Sequence, residues 1–273
     1  MERRDVSPGA VESARMRPIH RRQRNVAIVA AVLLCLLTVF AGSEPFRVAA
    51  PPRVLYLTHS AGFKHSVLPL SEQILTDLGR SSGAFEATVT SDAGALTEQN
   101  LRNFAAVIFF TTGELPIDEA QKRALIGFVR GGRGFVGIHS ATDTFYKWPE
   151  YLELVGAYFD GHPWHQPVTI RVEDRQHPST AHLPEQFTLN DEIYQFRDWS
   201  RNRVHVLLSL DPAGVDLGKA GVKRTDKDFA LAWTSEFGKG RSFYTALGHE
   251  AGVWRDPRFQ QHIVAGIQWA IGN

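Results

Sequence analysis

Histidines recur in this chain at places where a sheet would deliver them to one edge. His59 and His65 follow the apolar run Val54–Leu57, His139 follows Phe135–Ile138, and His249 with Glu250 follows the apolar end of Arg241–Leu247. Thr111 to Glu114 hold the equivalent place after Ala105–Phe110. Paired imidazoles work close to neutral pH, so two of them beside one carbonyl could remove a neighbouring proton and donate to the developing oxygen. His139 and His249 are the pair expected to flank a substrate, with Glu192 or Asp143 orienting one of them. His59, His65, Thr111, Ser140, Trp164 and Tyr194 are the expected substrate contacts. The same imidazoles suit a divalent metal such as zinc, with His59, His65, His139 and His162 as candidate ligands. His162-Pro-Trp-His165 places two imidazoles three apart, a spacing that also arises by chance in aromatic loops.

The sharpest local signal is Gly137-x-His139-x-Ala141. Small residues around a single side chain at a strand exit have the spacing of a nucleophile elbow, but the apex holds an imidazole. Ser140 lies one place past that apex and would point away, so a hydrolase triad of Ser140, His249 and Glu250 is disfavoured. His177, His205 and His262 read as structural or exposed. Phe145, Tyr146, Trp148, Trp164, Tyr194 and Trp254 fall near polar loops, where rings suit the apolar face of a sugar, although core packing is the commoner use of each.

The elements that must position these residues alternate. Strands are expected at Val54–Leu57, Phe85–Thr90, Ala105–Phe110 and Phe135–Ile138, with helices at Val67–Leu78 and Pro116–Arg130 between them. Near-continuous apolar strands alternating with helices predict an α/β fold, a flavodoxin-like parallel sheet with helices on both faces. Val168–Val172 and Val204–Leu208 read as further strands. Ala230–Trp233 and Arg241–Leu247, joined at Gly238-Lys-Gly240, read as an added C-terminal hairpin, and Pro257 opens a last helix to Ile271. Asp160–His165 and Asn190–Tyr194 are expected as long loops closing over the sheet edge.

Composition limits the rest. The chain of 273 residues is 43% hydrophobic and 22% charged with a net charge of +1, ordinary for a globular enzyme and without the basic excess that nucleic acid would require. Residues 1–24 hold seven arginines against three acids, followed by the apolar run Val26–Gly42. Residues 1–43 therefore read as a signal peptide or an N-terminal membrane anchor, 44–52 as a linker and 53–273 as one domain. The domain is expected outside the cytoplasm: periplasmic, secreted, or held at the outer face of the inner membrane through residues 26–42. The lone cysteine, Cys35, lies in that run, which leaves the domain without thiol chemistry.

Five blocks carry a family resemblance: Val54–His65, Gly131–Asp143, Tyr158–Pro163, Asp191–Tyr194, and Ala246–His249 with Gly266–Ala270. Together and in this order they resemble the ThuA-like (trehalose utilisation) family. The family is similar in fold to class I glutamine amidotransferases, whose elbow carries a catalytic cysteine. With His139 at that place, glutaminase chemistry is not expected. The resemblance implies catabolism of disaccharides or their 3-keto derivatives, a small-molecule carbohydrate as partner, and raises a bound zinc. A carbohydrate-binding domain without catalysis and a metal-dependent hydrolase are the rival expectations.

Overall fold

The structure, a computed structural model, describes residues 50–272. The expected leader or anchor and the first part of the linker lie outside the described residues. Among the described residues no helix is long and apolar enough to cross a membrane.

The chain opens with β1 (Arg53–Leu57), α1 (Leu68–Ser82), β2 (Glu86–Thr90), the short α2 (Glu98–Leu101), β3 (Ala106–Phe109), α3 (Glu119–Arg130) and β4 (Gly134–Ile138). Then follow α4 (Pro149–Val155), β5 (Tyr158–Phe159), β6 (Trp164–Val172), β7 (Gln186–Ile193), β8 (Phe196–Arg197), β9 (His205–Leu210), β10 (Ala230–Phe237), β11 (Gly240–Thr245), α5 (Ala251–Arg255) and α6 (Pro257–Ile271). Thr97, Asp118 and Asp256 cap the starts of α2, α3 and α6 with their side chains. Asp118 accepts from the Gln121 amide while Gln121 returns a bond to the Asp118 amide, which caps α3 at both groups.

β1 to β4 and β6, β7 and β9 to β11 form a nine-stranded sheet in the order β2-β1-β3-β4-β11-β10-β9-β6-β7. The first five in that order are mutually parallel. They have the flavodoxin-like order, in which ligands collect at the carboxyl ends of the strands. Ser242 of β11 bonds the Leu154 carbonyl of α4, and the next residue, Phe243, packs its ring on His262 of α6. Neighbouring strand residues point to opposite faces, so α4 and α6 cover opposite sides of the sheet. β1, β3 and β4 accordingly have buried cores on both faces.

The C-terminal hairpin is built into the main sheet: β11 lies parallel beside β4 while β10 turns the remainder antiparallel. One expectation needs correcting: Trp164–His165 belong to β6 and Asn190–Ile193 to β7, and neither is loop. β6 pairs with β9 only over Ile170–Val172, whereas β6 and β7 pair along Trp164–Arg171 and Gln186–Ile193. The open end of this hairpin is free of the sheet and bends back over the exits of β4 and β11.

Candidate functional site

β4 ends at Ile138 and the backbone turns at His139, a non-glycine residue with φ of 45°. A side chain in this left-handed region costs about 1–3 kcal/mol, and such strain is concentrated at functional positions. The turn continues as a single 3-10 stretch, His139–Asp143. Gly137 permits the close approach: a Cβ there would lie 2.8 Å from Cδ2 of Tyr244 and 3.2 Å from Cβ of Ala141. The Tyr244 hydroxyl donates to the His139 carbonyl (2.7 Å), tying the elbow to β11.

The His139 ring is wholly buried and lies 2.7 Å, through Nδ1, from the Ala246 carbonyl. A carbonyl only accepts, so Nδ1 carries a hydrogen and Nε2 is the nitrogen that faces the site. Nε2 lies 3.2 Å from Nδ1 of His249 and 3.5 Å from Oε2 of Glu192. Glu192 Oε2 is 3.1 Å from the same His249 nitrogen, and Oε1 is 3.3 Å from Nδ1 of His162. The His65 ring stands 5.0 Å from that of His139 and 5.2 Å from that of His249. Three strand exits and the returning hairpin thus supply His65, His139, His249 and Glu192, which can each present one ligand atom within 4.8 Å of the others.

Charge is distributed unevenly in this cluster. Burial, and then the nearby His139 and His249, push the His65 imidazole down to about 3, so it stays neutral. Burial alone would raise Glu192, but the contacts from His139 and His249 outweigh it and hold the carboxyl well below the usual range. The hydrogen bond with Glu192 raises His249 against the pull of burial. Nε2 of His139 and the carboxylate, 3.5 Å apart, are close enough to share a proton or a cation. Three imidazoles and a carboxylate are a donor set that zinc accepts, and a backbone carbonyl holding the far nitrogen of His139 is the usual outer support of such a ligand.

Asp191 completes the frame. Fully buried, it accepts from the amides of Gly248 (2.7 Å) and Glu250 (2.9 Å), fixing the segment that carries His249. It was not singled out from sequence, although it stands beside Glu192. Strand alternation turns the two carboxylates to different partners, and that pairing was the available signal.

The other expected residues are dispersed. His59 binds the Ser91 carbonyl through Nδ1 (2.8 Å) and is outside the converging group. Asp143 accepts from the Tyr146 hydroxyl rather than orienting His139. Thr111 bonds Thr144 (2.9 Å) in the interior. Ser140 is sealed, with no partner for its hydroxyl among the described residues. Trp164 donates to the Asp216 carbonyl and packs on Phe229, so it is core. Tyr194 is buried against His139, with ring centres 4.3 Å apart, and backs the site as a wall. His162 and His165 diverge at the rim, the first to Glu192 and the second to Glu250 (2.6 Å). Phe145, Trp148 and Trp254 are core as well.

A wider groove between α2 and α3 is lined by Glu98, Arg102, Arg123 and Phe128. Its Glu98 and Arg102 pair with each other at 2.6 Å, and no histidine faces it. Chemistry, not volume, therefore locates the site.

Comparison with known proteins bears on family and fold. The ThuA family, described as trehalose utilisation, matches residues 53–270. The chain is similar to a ThuA-like protein from Bacteroides uniformis, at 25% identity and a TM-score of 0.70 over 84% of this chain and 95% of that one. It shares its fold with a ThuA-like protein from Parabacteroides merdae, at 19% identity and a TM-score of 0.63 over 81% and 90% of the two chains. It also shares its fold with a Salmonella typhimurium protein described as cytoplasmic, at 12% identity and a TM-score of 0.55 over 80% and 98%. No curated protein matches the chain.

Proposed function

Because the chain belongs to the ThuA family, that of trehalose utilisation, we propose that it is an exported carbohydrate-processing enzyme acting on an oxidised (keto) sugar or disaccharide by histidine acid–base chemistry. The observation that carries the reading is the contact of His249 Nδ1 with Glu192 Oε2 at 3.1 Å, with His139 Nε2 3.2 Å away. His139 is sealed and His249 is not, so His249 is the catalytic residue and His139 a positioning residue. With Nδ1–H directed to Glu192, the other nitrogen of His249 takes a proton from carbon beside the sugar carbonyl. The carbon–hydrogen bonding pair becomes the enolate, and the new imidazolium is stabilised by the carboxylate. One of the rim imidazoles, His162 or His165, would supply the donor for the developing oxygen. Isomerisation and elimination of a glycosidic bond share this step.

Exchange of solvent deuterium into 3-keto-trehalose, followed by NMR, tests the reading. Wild type should catalyse exchange and His249→Ala should lose about 10²–10⁴-fold. A wild-type protein that leaves every keto sugar unexchanged and unconverted refutes it and favours a binding domain without catalysis.

One observation supports a second reading, a metal-dependent one in which His249 and Glu192 are ligands and not a general-base pair. The ligand atoms of His65, His139, His249 and Glu192 gather within 4.8 Å, and Nδ1 of His139 is held by the Ala246 carbonyl. These four residues would hold a divalent ion of the zinc class. Such an ion, when bound, polarises a sugar carbonyl or a bound water. Stoichiometric metal in the purified protein and a melting temperature lowered by chelator are expected; a metal-free protein indifferent to chelator refutes it. The export reading rests on the arginines before Val26–Gly42 and is tested by fractionating cells and sequencing the mature N-terminus.

A further inference from the structure

Among the described residues one large hydrophobic side chain is exposed, Phe63, at 65%. A single exposed apolar residue is ordinary on a protein surface. The position of this one is not. Its ring meets the edge of the His65 ring at 4.9 Å, and the His65 ring in turn stands against those of His139 and His249. A continuous row of rings leads from solvent to the candidate site.

The backbone under Phe63 is fastened. Thr112 accepts through its carbonyl from the amides of Ala61 (2.9 Å) and Gly62 (3.2 Å), and its hydroxyl donates to the Phe63 carbonyl (2.8 Å). Gly113, at φ of 76°, lets the two loops close up, since a Cβ there would lie 2.7 Å from the Gly62 nitrogen. The ring is held out to water by a rigid support, so a ligand that covers it does not have to order the loop first. One ring is far too small for a protein interface, which requires about 1,000 Å². Of the aromatic side chains expected from sequence to meet a sugar, Phe145, Trp148, Trp164, Tyr194 and Trp254 are buried, and Tyr146 is half-buried with its hydroxyl on Asp143.

We propose that Phe63 is the platform on which the apolar face of a pyranose ring of the substrate stacks while the reacting sugar reaches His249. The proposal rests on the carbohydrate reading given above. Hydroxyls of a sugar ring point outward around its rim and leave a C–H face, the surface that an exposed aromatic ring desolvates well.

The test is binding by calorimetry of trehalose and 3-keto-trehalose to the full chain, with wild type, Phe63→Ala and Phe63→Trp. Sorbitol, which has hydroxyls but no ring face, is the control. Phe63→Ala should weaken disaccharide binding roughly tenfold and leave the melting temperature unchanged. Phe63→Trp should retain or tighten binding, with saturable sugar-dependent indole fluorescence absent with sorbitol. Disaccharide affinity equal in wild type and Phe63→Ala overturns the platform alone. Failure of wild type to bind any of the sugars overturns the carbohydrate reading and the platform with it.

Discussion

Replacing His262 with asparagine should flatten the acid destabilisation of this protein. His262 lies on α6 at 1% exposure, with its ring against Phe243 and Phe259. Nδ1 donates to the Ser179 carbonyl (2.8 Å), and Nε2 has no partner among the described residues. Burial pushes the group from 6.5 down to about 4, with the Ser179 carbonyl opposing and His182 and His177 adding to the push. The folded protein therefore keeps this ring neutral over a range in which the unfolded chain protonates it. Unfolding takes up a proton between pH 6.5 and about 4, so the stabilisation is complete above 6.5 and is lost as pH falls through that window. At about 1.4 kcal/mol for each pKa unit the full loss is roughly 3 kcal/mol, of which about 2 kcal/mol falls between about pH 7.5 and about pH 5. Asparagine keeps a donor for Ser179 and cannot titrate in this range. Urea denaturation at the two pH values should show His262→Asn less stable than wild type at the higher pH and less sensitive to acid by about 2 kcal/mol. His177, lowered by burial, and His65, pushed to about 3, retain the remaining slope. Equal pH dependence of the two proteins would refute the reasoning.

Glu192→Gln should lower turnover of a keto sugar by about 10²–10⁴-fold with little change in KM, because it removes the charge that stabilises the His249 imidazolium; an unimpaired kcat contradicts the assigned role. Asp191→Asn keeps at most one of the acceptors used by Gly248 and Glu250. It should cost about 1–3 kcal/mol in chemical denaturation and speed hydrogen exchange at residues 248–250, with unchanged exchange there as the opposing result. Gly137→Ala places a methyl group 2.8 Å from the Tyr244 ring. It should cost about 1–3 kcal/mol and loosen His139; calorimetry showing an undiminished melting temperature would count against the elbow geometry.

The parallel half of the fold was legible because its strands are apolar throughout and its helices carry caps. β1, β3 and β4 are buried on both faces, so no polar residue interrupts the pattern. β7 was not legible, since Asn190, Asp191 and Glu192 look like loop residues. They lie in a strand because β6 supplies the hydrogen bonds, while the side chains serve His249 and its segment. Of the residues at strand exits, His65, His139 and His249 come together, while His59, Thr111 and Ser140 do not join them. An exit fixes where a residue sits along the sheet but not which way its side chain turns. That direction depends on partners distant in sequence, such as Ser91 for His59 and Ala246 for His139. The aromatic residues misled for a related reason, because ring size predicts burial at least as well as it predicts sugar binding.

The place of β11 between β4 and β10 has a consequence for biosynthesis. A ribosome that has released the first 239 residues has made β4 but not the strand that covers one of its edges. Until Gly240–Thr245 arrives, Gly134–Ile138 presents an apolar edge to any other unfinished chain, and unpaired edges of that kind are prone to aggregate. Productive folding must therefore be largely post-translational, and a nonsense mutation before residue 240 should give an insoluble product rather than a smaller working domain.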